Sequence, residues 1–302
     1  MFKEIDAHDV ISFDLFDTLL ERTIDAPNDL FDLMLPYSLK YCDPSKLNFK
    51  EARLKARNWV SIKSEEIDLD LRYRAIAEKY LLDKKHLLSI MEYELASELF
   101  ILKTRYVGKE LYKYALLKNK RIIIISDTFF DRKFIMRLLD KNNLNGFNNI
   151  YLSSEEGFLK RTSNLFERVL IKENTNPSNI LHIGDDDISD CKMAAKKGIS
   201  NIRIPKKDEL VGLYSNLLNH FDSIGDLATR SIIKGLCSIK CTSKNIGNYR
   251  NKSFCDINIF AYTHLGPIFL SFAHWIVRQA LEDGITDLYF LARDGDIAKK
   301  CV

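Results

Sequence analysis

Four short stretches hold the side chains that could do chemistry. VISFDLFDTLL ends an apolar run on Asp14, with Asp17 and Thr18 in the turn that follows. RIIIISDTFF ends another on Ser126 and Asp127, and EEGFLKRTS carries Lys160. ILHIGDDDISD sets Gly184 ahead of Asp185, Asp186, Asp187 and Asp190. Carboxylates gathered within a few ångströms raise one another's pKa, so such a group calls for a cation. A hard, oxygen-liganded ion, with Mg²⁺ the natural choice, relieves the repulsion and leaves positions for the oxygens of a phosphorylated small-molecule substrate. A carboxylate nucleophile can then attack phosphorus to give an aspartyl-phosphate that water hydrolyses. The Ser126 hydroxyl and Lys160 ammonium would balance charge on the transferring group. Asp17 and Thr18 are turn residues by type and open to a structural or a chemical role, catalytic for Asp17 and phosphate-binding for Thr18. Asp127 is a further phosphate-binding candidate beside Ser126, and Asp186 and Asp187 suit capping.

These residues meet only if strand ends bring them together. Compact apolar runs at 10–14, 121–126, 149–152, 180–183 and 201–204 alternate with helical stretches. That pattern predicts the α/β class with a parallel, Rossmann-like sheet buried on both faces. Ligands in such sheets bind at the carboxyl ends of the strands, where Asp14, Ser126 and Asp185 fall. The interval 23–119 is rich in Leu, Glu, Lys and Arg at helical spacing and too long for a crossover, so it reads as an inserted helical domain. The organisation expected is core at 1–22 and 120–208, insertion at 23–119 and a helical extension at 209–302. LYFLA at 288–292 reads as one more buried strand. Arg53, Arg57, Lys63, Arg72 and Arg74 on the insertion could contact an anionic or polyhydroxy substrate.

The chain has 302 residues, 45 Lys and Arg against 42 Asp and Glu, and a net charge of +3. That length suggests roughly two domains at about 150 residues each. With 46% hydrophobic and 29% charged residues, global disorder is excluded. Near-balanced charge argues against a nucleic-acid partner, which would need a basic excess. The six cysteines show no disulfide or zinc spacing, and the N-terminus no apolar signal core, so a cytoplasmic location is expected. Residues 257–277 lack Asp, Glu, Lys and Arg, but Gly266, Pro267 and polar residues interrupt them. A buried or interfacial helix pair is expected there in place of a bilayer span.

The four stretches together resemble, in order, the four motifs of the haloacid dehalogenase superfamily, across about residues 8–205. The resemblance implies a Mg²⁺-dependent phosphatase in which Asp14 is the nucleophile and Ser126 and Lys160 hold the phosphoryl group. It assigns Asp185 and Asp190, with Asp14, to the metal, and makes the insertion a helical cap. Phosphatases of the superfamily usually carry a second aspartate two residues after the nucleophile, as general acid and base. Phe16 stands there, with Asp17 one residue later. Dehalogenases of the superfamily have an aromatic at that position, since a halide leaves without a proton, but look less like this chain at the fourth motif. FDLFDTLLERT, SDTFF, LHIGDDDISD and YFLARDG also resemble a narrower group of predicted hydrolases encoded among bacterial surface-polysaccharide genes. That implies a sugar or polyol phosphate as substrate, with a glycosyltransferase or peripheral membrane contact as partner, and makes the YFLARDG strand the opening of a second α/β domain. The alternative motivated by Phe16 and the uncharged segment is a weakly or non-catalytic interaction module partnering a glycosyltransferase.

Overall fold

A run such as IIII at 122–125 has no polar side to turn toward water, so as a strand it must be covered on both faces. The computed structural model describes residues 1–61, 63–207, 209, 219–223, 225–242, 257–291 and 295–301. Its strands are β1 (Val10–Phe13), β2 (Leu20–Arg22), β3 (Leu102–Thr104), β4 (Arg121–Ser126), β5 (Asn149–Leu152), β6 (Ile180–Gly184) and β7 (Ser200–Arg203). Five form a parallel sheet in the order β5-β4-β1-β6-β7, an α/β architecture as expected. Side chains alternate between its faces. Ile11, Phe13, Ile122, Ile124, Leu181 and Ile183 join one buried cluster. Val10, Ile123, Ile125 and Ile180 join the other, with Phe166 and Val169 of the helix Asn164–Glu173. Asp14 leaves the sheet just past β1, though its N–H still donates to the Ile183 carbonyl at 2.9 Å.

β2 and β3 pair antiparallel and carry the chain into and out of the helical insertion. Its helices Phe49–Lys55, Leu69–Tyr80 and Lys84–Ile101 each start at a side-chain cap, Asn48, Asp68 and Asp83. Most arginines offered above for substrate are engaged at home. Arg53 is buried and pairs with Glu94 at 2.7 Å, Arg72 with Glu66 at 2.7 Å, and Arg74 with Asp70 at 2.6 Å. Arg57 donates to the Ser64 carbonyl at 3.0 Å. Within the interval 23–119, the helix Tyr106–Leu117 lies on the sheet, the Tyr112 ring 5.4 Å from that of Phe13. Its Gly108 sits where a Cβ would collide with the Thr18 carbonyl, so the absent side chain lets this helix press on the turn after β1.

Glu21 on β2 is buried and its Oε2 accepts no hydrogen bond. Burial lifts its pKa to about 7, against the pull of Arg105 and Lys207. An acid whose folded pKa is raised favours folding when protonated. Its contribution is therefore largest at or below the ordinary value of 4.5 and falls away as pH rises toward 7. Glu21→Gln should remove that slope and stabilise the protein at pH 8 by up to ~3 kcal/mol relative to wild type. Urea unfolding of both proteins at pH 4.5 and pH 8 measures it.

Beyond β7 the described chain is helical, with helices Leu227–Thr242, Gly266–Glu282 and Asp296–Cys301. Of the buried or interfacial helix pair expected at 257–277, the buried form is not what the structure shows. Pro267 sits in the first turn of Gly266–Glu282, a position it tolerates, and the helix runs on past it. Ile268 (63%), Leu270 (54%) and Trp275 (58%) are exposed, while Ala273 and Ala280 face inward. Residues 288–291 pair with no strand, contrary to expectation, and Tyr289 and Leu291 are exposed. Ala292 and Asp294 are outside the described residues. Among the described residues no helix is long and apolar enough to cross a membrane.

Candidate active site

The turn after β1 is built to hold Asp14 still. The Leu19 and Leu20 N–H groups both donate to the Leu15 carbonyl, at 3.0 and 2.9 Å. Asp17 adopts a left-handed φ of 55°, which costs a non-glycine residue and persists only where its surroundings impose it. The buried Arg105 does so, its guanidinium donating to the Asp17 and Pro205 carbonyls. Thr18 is buried, and its hydroxyl donates to Asp185 Oδ1 at 3.3 Å.

Lys160 comes in from a loop ahead of the helix Asn164–Glu173. Its N–H donates to Asp127 Oδ1 at 2.8 Å. Its Nζ, 3% exposed, bridges Asp14 Oδ1 at 2.6 Å and Asp190 Oδ1 at 2.5 Å. Asp190 reaches this point because β6 ends on Gly184, where any Cβ would overlap the Asp190 carboxyl group. Asp190 Oδ2 accepts the Asp185 and Asp186 N–H groups at 3.1 and 2.9 Å. Asp186 caps the next turn, accepting from Ile188 and Ser189, and Asp187 pairs with Lys192 at the surface.

Charge is unevenly settled across these groups. Burial pushes the Asp14 carboxyl well above its usual range despite Lys160, and the charges on Asp190 and Asp185 add to that rise. Burial, then Asp17 and Asp190, lift Asp185 to about 6. Asp190 is held far below the usual range, because Lys160 and His182 outweigh its burial. Lys160 stays firmly protonated: its burial is overcome by Asp14, Asp190 and Asp127. Asp14, Asp185 and Asp190 each offer an oxygen within 4.8 Å of the others, all buried. An all-carboxylate donor set with two carboxyls lifted by burial and by the charge of neighbouring acids fits a hard divalent cation. Beside it, the buried Ser126 hydroxyl has no partner. A phosphate oxygen would satisfy it.

The structure thus brings Asp14, Thr18, Lys160, Asp185 and Asp190 into direct contact or close reach. Ser126 and Asp127 lie at the end of β4, and Asp17 lies close enough for its charge to act on Asp185. Sequence reasoning missed Ser12, His182, Arg105 and Glu65. Burial keeps the His182 ring neutral. Its Nε2, 3.2 Å from Asp190 Oδ1, faces a carboxylate and so carries the proton; Nδ1 then accepts from the Ser12 hydroxyl at 2.8 Å. A faint signal was present, since Ser12 and His182 are the polar members of otherwise apolar strands and stand opposite each other in register.

No family model matches the chain, and no curated protein matches it. Solved structures do. A haloacid dehalogenase-like family hydrolase from Xanthomonas campestris is 17% identical with a TM-score of 0.48, covering 67% of this chain and 83% of its own. A HAD-family enzyme from Bacteroides thetaiotaomicron, in complex with magnesium and inorganic phosphate, is 17% identical at 0.45 and covers 66% and 95%. The L-2-haloacid dehalogenase from Xanthobacter autotrophicus is 15% identical at 0.46 and covers 74% and 86%. Two of these neighbours are named as members of the haloacid dehalogenase-like (HAD) family and the third as a haloacid dehalogenase, and the likeness is one of fold.

Proposed function

We propose that the protein is a Mg²⁺-dependent phosphomonoester hydrolase working through an aspartyl-phosphate on Asp14. The observation that carries this reading is the buried Lys160 ammonium bridging Asp14 and Asp190 beside an unpartnered Ser126 hydroxyl. Asp14 attacks phosphorus, and Lys160 and Ser126 hold the phosphoryl oxygens as charge builds on them. Asp127 and Asp190 hold Lys160 in place, and Thr18 orients Asp185. Asp14, Asp185 and Asp190 would hold the metal, which when bound neutralises charge on the transferring group. Phe16 has no ionisable proton to give; its ring packs 6.1 Å from that of Phe130 with the Arg22 guanidinium 5.2 Å from it. Protonating the leaving alkoxide falls to Asp17, the acid in that turn, or to the substrate itself.

A sugar or polyol phosphate from surface-polysaccharide synthesis is the substrate class favoured by the motif resemblance. A second reading, an interaction module partnering a glycosyltransferase, draws on Phe16 and the exposed apolar helix Gly266–Glu282. The test is phosphate release from sugar, polyol and nucleotide monophosphates, with Mg²⁺ and with a chelator. Release should require the metal and be fastest on sugar or polyol phosphates. Halide release from a 2-haloacid without metal, or no turnover of any phosphate ester, would overturn the proposal.

A further inference from the structure

The loop that carries Lys160 is held by the core, by its own hydrogen bonds and by the insertion. Gly157 and Ser163 both lie in the left-handed region, at φ 75° and 70°. Glycine tolerates that conformation; serine keeps it only where its surroundings impose it. On the core side, Asp127 holds the Lys160 N–H, and the Ser163 N–H turns back to the Lys160 carbonyl at 2.7 Å. The opposite side is held by the helical insertion.

Glu65 lies between the turn Ala56–Trp59 and the helix Leu69–Tyr80. Its Oε2 accepts the Leu159 N–H and the Thr162 hydroxyl, each at 2.7 Å. Its Oε1 accepts the Asn164 amide at 2.5 Å. The Glu65 N–H completes the clasp on the Gly157 carbonyl at 3.0 Å. Burial would raise the Glu65 pKa, but Thr162, the Leu159 N–H and Asn164 outweigh it, so the carboxylate is charged at neutral pH. Its donors flank Lys160 on both sides. One carboxylate from the insertion therefore spans the whole segment that delivers the ammonium.

We propose that Glu65 is a positioning residue through which the helical insertion seats the Lys160 loop, so that Lys160 reaches Asp14 and Asp190 when the insertion is docked on the core. The catalytic consequence rests on the phosphohydrolase reading above; the seating itself does not. A docked insertion completes the cation that holds the phosphoryl group, and an undocked one withdraws it. Cap position and site assembly are thereby one event.

The test compares full-length wild type, Glu65→Ala and Glu65→Gln. In Glu65→Ala, amide exchange across 157–164 should speed ~10-fold or more while the central strands keep their protection. Acetic anhydride, which labels accessible amines, should reach Lys160 in that variant and not in wild type. The kcat should fall at least ~10-fold, since small misplacements of a reacting group are costly. Glu65→Gln keeps one oxygen acceptor and should recover most of the protection and most of kcat. Unchanged exchange and labelling in Glu65→Ala would overturn the proposal. So would faster exchange spread evenly along the chain, which marks a merely structural residue. If wild type hydrolyses no phosphate ester, the functional reading fails alone, because exchange and labelling still decide the seating.

Discussion

Asp14→Asn is expected to abolish phosphate release while leaving the metal-free protein at least as stable as wild type. The loss should be ~10³-fold or more, because a covalent route disappears with its nucleophile. The stability half follows from the sign of the Asp14 shift. Burial, Asp190 and Asp185 raise its folded pKa above the ordinary 3.8 even with Lys160 alongside. The carboxylate therefore favours folding when protonated and opposes it once ionised, and the cost builds as pH rises from 3.8 toward the folded pKa. Asparagine has the same shape without that charge. Thermal unfolding at pH 7 in chelator should show a melting point equal to or above wild type. Added Mg²⁺ should raise it less than in wild type, because a ligand oxygen is weakened. Measurable turnover by the variant would sink the covalent mechanism, and a lower melting point would sink the electrostatic account.

Lys160→Met is expected to be equally inactive and to move stability the other way. Its ammonium neutralises Asp14 and Asp190 at 2.6 and 2.5 Å, with all three side chains at most 8% exposed. Removing one partner of a buried pair leaves charge uncompensated, typically at ~3–5 kcal/mol. Phosphate release should fall at least ~10²-fold, since a positioned charge on the transferring group is lost. Mg²⁺ should restore part of the stability by supplying positive charge, and so shift the melting point more than in wild type. The double variant Asp14→Asn/Lys160→Met should be more stable than Lys160→Met alone, because one of the two stranded carboxylates is gone. Calorimetry with and without Mg²⁺ measures the cycle. Additive effects of the two substitutions would show that the pair is not coupled as the geometry requires.

Much of this is legible in the amino-acid sequence. The runs at 121–126 and 149–152 are strands with the expected ends, because β-branched stretches between polar residues are recognisable locally. The run expected at 180–183 extends one residue further, to Gly184, in β6. The helix Tyr106–Leu117 was placed in the insertion because its apolar spacing looks like that of its neighbours. Its burial against Phe13 depends on β3 closing the insertion first. LYFLA has strand composition, but composition supplies no sheet for it to join.

Lys160, expected just after the third strand at the start of a helix, lies in a loop ahead of the helix Asn164–Glu173. The types and order of Asp14, Ser126, Lys160, Asp185 and Asp190, and the strand-end placement of Asp14, Ser126 and Asp185, were present in the linear pattern, because period and turn chemistry act over a few residues. Which acids are neutralised was not. Asp190 has Lys160, His182 and two N–H groups, while Asp185 is left at about 6, and that difference depends on distances between groups far apart along the chain. Ser12 against His182, Arg105 on Asp17 and Glu65 on the Lys160 loop were set in the same way, by sheet register and by the docking of the insertion. Coulomb and hydrogen-bond energies follow spatial separation and burial, and these exist only once the chain has folded.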